Sequence, residues 1–352
     1  MIMIGDGLAG FNLPENHLVY ETPNVSGKLL PVTEVATCEN GGDENKPKLI
    51  QFLPEVTVTF LNSQAASELL SKPDDFVRTM SSFDKSSRLK KAGKVGEAEY
   101  LKFVERQTRE FTVEERRRLQ GLLKDIQPSL RRLQLPWPKK IFLAKTTGLE
   151  EGNAAYTRGN MIVFPGSKLR QKDQGLRRLM VHEMFHVLSR ANPKLATKLY
   201  RIIGYEPSPL LEFPEELASR KLSNPDAPFN QHAIEVKYNG EKVKVTPVLY
   251  SRTEKYDEKM GGTFFRYLVF RLLILNGKDL SKARRDTDGK LILLEPKEAI
   301  GFRKKIGSNT GYIIHPEETM ADNFVFLVLG KKNLPNPEIV QSMRDIFMKA
   351  GH

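Results

Sequence analysis

Hydrophobic and polar positions along this chain alternate with two different periods. In "VTVTFLNS" every second residue is apolar, which predicts a half-buried strand over about residues 56–63. Residues 64–134 read as mostly helical. Within them "FTVEERRRLQGLL" carries a capping box, with Thr112 at the N-cap and Glu115 three residues on. Pro136 and Pro138 end that region. "KKIFLAKTT" and "GNMIVFP" read as strands, the second bounded by Gly159 and Pro165. A long helix is predicted from about Lys172 to Arg190, and residues 193–222 look helical with proline breaks. "AIEVKYNGEKVKVTPVL" alternates on both sides of Asn239–Gly240, a strong hairpin signal. "TFFRYLVFRLLIL" is apolar without a clear period, so strand and buried helix both stay open. "DTDGKLILLE" reads as a turn and a strand; it lacks the third carboxylate position and the distal glutamate of a calcium loop. Two helices, about 316–330 and 336–349, close the chain.

There is no internal repeat and no regular βαβα order, so the expected class is α+β. Residues 1–47 are rich in Pro, Gly and Asn and are expected to form an extended acidic arm and linker. Residues 48–135 are expected to be a mostly helical region, and 136–352 a second, chemistry-bearing domain.

Composition narrows the class further. At 39% hydrophobic residues the chain can bury a sizeable core. Its single cysteine, Cys38, excludes an intrachain disulfide, and the cytoplasm is the expected compartment. The first residues lack a basic lead-in, and Asp6 interrupts them, so they do not read as a secretory signal. No apolar run approaches the roughly 18 residues of a membrane span. The net charge of +12 is uneven. Residues 1–50 hold three lysines and seven carboxylates, so the excess of basic groups lies beyond them. Those groups are scattered, without aromatic interleaving or a nucleic-acid module, and are read as solvated faces. The oligomeric state is not legible.

The chemistry concentrates in "LMVHEMFHVLSR", Leu179 to Arg190. His182 and His186 stand at i and i+4 of a helix, which puts both imidazoles on one face within reach of one ion. Glu183 is rotated by one position, where it can take a proton from a metal-activated water. With six histidines in 352 residues, chance supplies fewer than about 0.01 such HExxH matches. Leu176, Leu179, Met180, Met184, Val187 and Leu188 surround the motif, and polar groups in so apolar a helix are costly unless paired or metal-bound.

The motif resembles that of the zincin metallopeptidases. "HEMFHVLSRAN" lacks the third histidine of the metzincin pattern. The gluzincin branch takes a glutamate from a second helix in an ExxAD pattern, and Glu318-Thr-Met-Ala-Asp322 is similar to it. Pro316 suits the first helical position and puts Glu318 in the first turn, where the helix dipole favours an anion. Asp322, one turn on, could hold a ligand histidine. Glu215 in "FPEELASR" is the competitor: it resembles another gluzincin pattern and lies closer in the chain. Choosing Glu318 makes residues 191–314 a large insertion.

The resemblance implies a zincin-like fold with one zinc per chain, held by His182, His186 and Glu318, and a peptide or protein substrate. It implies Glu183 as general base, with Tyr312 or His315 as oxyanion donor. It also implies that substrate lies along the strand near Ala154, Ala155 and Tyr156. The alternative is an idle zincin-like scaffold kept for binding or regulation, which would have no need of Glu183.

Overall fold

The computed structural model describes residues 48–350, so the arm expected over 1–47, with Cys38, lies outside the described residues. Strands β1 (Lys48–Leu53) and β2 (Val56–Phe60) form an antiparallel pair. Val56, Val58 and Phe60 of β2 are buried and the residues between them less so, as the period of two requires. Helices α1 (Ser63–Leu70), α2 (Asp75–Thr79), α3 (Ser82–Leu89) and α4 (Glu97–Glu105) follow, then β3 (Thr108–Arg109) and α5 (Val113–Leu133). The capping box forms at the start of α5. The Glu115 N–H donates to Thr112 Oγ1 at 3.1 Å, and the Thr112 N–H donates to the Glu115 carboxylate at 2.8 Å.

Strands β4 (Lys140–Thr146), β5 (Tyr156–Arg158) and β6 (Met161–Pro165) complete a mixed sheet in the order β1-β2-β4-β6-β5, with β3 paired to β4. β2, β4 and β6 run parallel, and β5 is an antiparallel edge. The division expected near residue 135 falls inside this sheet, because β2 precedes it and pairs with β4, which follows it.

Two helices come next, α6 (Asp173–Ala191) and α7 (Pro193–Ile202). The helical reading of 193–222 holds only in part. Gly204, with φ of 81°, turns the chain out of α7, and β7 (Tyr205–Pro207) and the single turn α8 (Glu215–Ala218) take the rest. β8 (His232–Tyr238) and β9 (Glu241–Ser251) make the hairpin. Asn239 and Gly240 have φ of 48° and 83°, the two left-handed positions of a type I′ turn. β10 (Leu268–Ile274) is the strand hidden in the ambiguous apolar run, and β11 (Leu293–Leu294) pairs with it. This antiparallel sheet, β11-β10-β9-β8-β7, lies wholly within residues 191–314.

Helices α9 (Phe302–Ile306), α10 (Pro316–Val328) and α11 (Pro337–Ala350) end the described chain. The fold is mixed α+β. α10 is buried along its whole length and packs against α6, and both belong to one apolar core that also draws on the two sheets. No helix among the described residues is long and apolar enough to cross a membrane.

Candidate metal centre

The packing of α6 on α10 assembles the site. His182 and His186 project from one face of α6 with ring centroids 4.8 Å apart. α10 starts at Pro316 with His315 as N-cap, so Glu318 sits in its first turn, fully buried. Glu318 Oε2 lies 3.1 Å from His182 Nε2 and 3.5 Å from His186 Nε2. The three ligand atoms lie within 4.8 Å of one another. Tetrahedral donors about 2.0–2.1 Å from a zinc ion stand about 3.3 Å apart, so the two measured separations bracket that value.

The outer nitrogens are equally constrained. His182 Nδ1 meets Asp322 Oδ1 at 3.2 Å, and His186 Nδ1 meets Glu317 Oε1 at 2.7 Å. Asp322 also accepts from Arg178 and Thr310, and Glu317 from Ser189 and Tyr200. A carboxylate on each Nδ1 orients the rings with Nε2 facing Glu318. His186 Nε2 is then buried with no hydrogen-bond partner, although buried polar atoms are ordinarily satisfied. Two imidazole nitrogens, one of them this orphaned atom, and a carboxylate oxygen fit a zinc ion.

Without metal, protons take the role of the cation. Burial disfavours a charged imidazole at His182, but hydrogen bonds to Asp322 and Glu318 outweigh it and push its pKa up to about 9. His186 is also raised, burial again opposing and Asp226, Glu318 and Glu317 prevailing. Burial would raise Glu318, yet the two histidines hold it well below the usual range. The sign for stability follows. A group raised in the folded state stabilises fully below its unfolded value near 6.5, and that contribution is lost as pH rises through about 9. The metal-free protein should therefore lose stability between those values. Zinc affinity should rise over the same window by about tenfold per pH unit for each proton displaced. Calorimetric titration at pH 6.5, 7.5 and 8.5 checks this; an affinity independent of pH would exclude it.

Glu183 is almost fully buried, and its Oε2 accepts from Thr157 Oγ1 at 2.9 Å. Thr157 belongs to the edge strand β5, which packs on α6. Tyr312 stacks on the His182 ring, centroids 5.9 Å apart and planes 24° from parallel. Burial raises its phenol well above the usual range, and the charges of Glu318, Asp226 and Glu183 add to this. Its hydroxyl thus stays protonated and able to donate beside the site.

Other expected residues are placed differently. His315 accepts from the Glu317 N–H through Nδ1 at 3.1 Å and bonds the Phe229 backbone. Its imidazole caps α10 and bonds the neighbouring loop. Tyr156 donates its hydroxyl to Glu150 at 3.2 Å, and the residue also lines the small cavity formed with Ala154 and Ala155. Ala154 and Ala155 line a small cavity of about 40 Å³ with Tyr312, Phe264 and Asp226. Glu215 is exposed on α8 and belongs to neither cluster of metal-capable side chains among the described residues.

Three participants carried no pattern in the sequence. Thr157 holds Glu183, Asn224 Nδ2 donates to Glu318 Oε1 at 2.5 Å, and Asp226 stands with Glu183 and His186 in a second carboxylate–imidazole cluster. The only trace of the last two was a proline-bounded turn, "NPDAP". The chain matches no protein-family model, no curated protein and no solved structure.

Proposed function

We propose that this protein is a zinc-dependent peptidase of the gluzincin type. The observation that carries the reading is the convergence of His182 Nε2 and His186 Nε2 on Glu318 Oε2, with His186 Nε2 buried and otherwise unpartnered. His182, His186 and Glu318 would hold the ion. Bound there, zinc supplies a Lewis acid and acidifies water toward neutral pH.

The chain's own residues account for the rest. Glu183 is next to His186 but turned toward Thr157, so its carboxylate is held in one orientation and can receive the proton of an attacking water. It can then deliver that proton to the leaving amine. Tyr312, stacked beside His182 with its phenol held protonated, would serve as donor to charge developing on the substrate carbonyl. Burial of His182, Glu183, His186 and Glu318 limits access of bulk water and strengthens the interactions among them. An intact Glu183, fixed by a dedicated hydrogen bond, favours catalysis over a scaffold retained only for binding.

The test is metal loading. Chelated protein titrated with zinc should bind one ion per chain and gain stability, by about 4 kcal/mol when free zinc is about 1,000 times its dissociation constant. Peptide hydrolysis should appear with loading and vanish with chelator. Failure to take up zinc, or an unchanged melting temperature on loading, would end the proposal.

A further inference from the structure

We propose that Asp226 anchors the free α-ammonium group of a peptide substrate, so that the site removes residues from the amino end. This rests on the peptidase reading above and names its substrate class.

In β5, the N–H and C=O of Thr157 face away from β6, and this chain itself consumes both. The N–H donates to Asp226 Oδ1 at 2.7 Å, and the C=O accepts from Arg190 at 3.0 Å. Arg190 also binds the carbonyls of Pro225 and Asp226, at 2.7 and 3.1 Å. Ala155, just before β5 begins, lines the small cavity beside Tyr312. An added peptide strand can pair there but must stop at Asp226.

The obstruction is a wall. Ser223 donates its N–H to Asp84 at 2.8 Å and its hydroxyl to the Thr79 carbonyl at 2.9 Å, while Arg88 holds its carbonyl at 3.0 Å. Asn224 is tied to Glu318. The turn is thus fastened to α2, α3 and α10 at once.

A carboxylate oxygen of Asp226 lies within 4.8 Å of one of Glu183 and of a ring nitrogen of His186. Among the described residues no lysine or arginine forms an ion pair with the Asp226 carboxylate; Arg190 reaches only its backbone. Five carboxylates gather here: Glu183, Asp226, Glu317, Glu318 and Asp322. Burial, Glu183 and Glu318 raise the Asp226 carboxyl well above its usual range despite His186 and Arg190, and Arg178 and Arg190 leave an excess of carboxyl groups in this cluster. A substrate ammonium matches it; a substrate carboxylate would be repelled. At roughly 3.3 Å of chain per residue, one residue fits between an ammonium on Asp226 and a carbonyl beside Glu183.

The experiment uses zinc-loaded full-length protein and matched random decapeptides, free or acetylated at the amino end, with products read by mass spectrometry. The wild type should release single residues from the free peptides, and acetylation should lower kcat/KM at least about 100-fold. Asp226→Asn keeps the acceptor for Thr157 and the side-chain size. It should raise KM for free peptides at least about tenfold and bring the free-to-acetylated ratio near one, with zinc content unchanged. Equal cleavage of both peptide forms by the wild type overturns the anchor and leaves the peptidase reading standing. So does a variant slowed equally on both forms, which would make Asp226 merely structural. If Asp226→Asn does not fold, the wild-type comparison alone decides. Zinc-loaded protein that cleaves neither form removes both readings.

Discussion

Glu183→Gln is expected to lower turnover by about 10²-fold or more while the protein stays folded and takes up zinc. Glu183 contributes no atom to the His182, His186, Glu318 group, so its amide leaves those ligand atoms untouched. Glutamine also keeps an oxygen that can accept from Thr157 Oγ1, now 2.9 Å from Glu183 Oε2, so the side chain remains in place. What it loses is the capacity to take a proton from water. The loss should fall on kcat with KM little changed, because proton transfer belongs to the transition state. Zinc content measured on the same preparation separates this from metal loss. Wild-type turnover in this variant would remove Glu183 from the mechanism and favour a site built for binding alone.

Glu318→Ala is expected to abolish tight zinc binding. Glu318 Oε2 is the atom on which both histidines converge, and no other described carboxylate shares a metal-capable group with both of them. Its removal also frees Asn224, which now donates to Glu318 Oε1. Asp322→Ala should be milder. Among His182, His186 and Glu318, Asp322 touches only the outer nitrogen of His182, and loss of such a partner typically costs about 10–100-fold in affinity. Glu215→Ala should leave affinity unchanged, since Glu215 is exposed on α8. Competition against a chromophoric chelator ranks the three variants. A Glu215 effect as large as that of Glu318, or an undiminished affinity in Glu318→Ala, would refute the ligand assignment.

The sequence by itself determined what depends on neighbours in the chain. The capping box of α5 and the Asn239–Gly240 hairpin are local hydrogen-bond and dihedral choices, so their residues announce them. The pairing of His182 with His186 is a consequence of helical pitch and was legible for the same reason. The run that became β10 was not, because its continuous apolar character hides the period; pairing with β9 and β11 made it a strand.

Tertiary structure decided which glutamate joins the histidines. Glu215 and Glu318 each follow a proline in the first turn of a helix, and both patterns were plausible on the page. Only the burial of α10 against α6 carries one of them to the site, across 136 residues from His182. Thr157, Asn224 and Asp226 were silent because each does its work through a hydrogen bond or close approach to an element distant in the chain. The hydrogen bonds of His315 were silent for a related reason: its place at the N-cap of α10 and its bond to the Phe229 backbone depend on how the neighbouring loop packs. Periodicity and spacing state which face a side chain occupies; what stands opposite that face is set by packing between elements far apart in the chain.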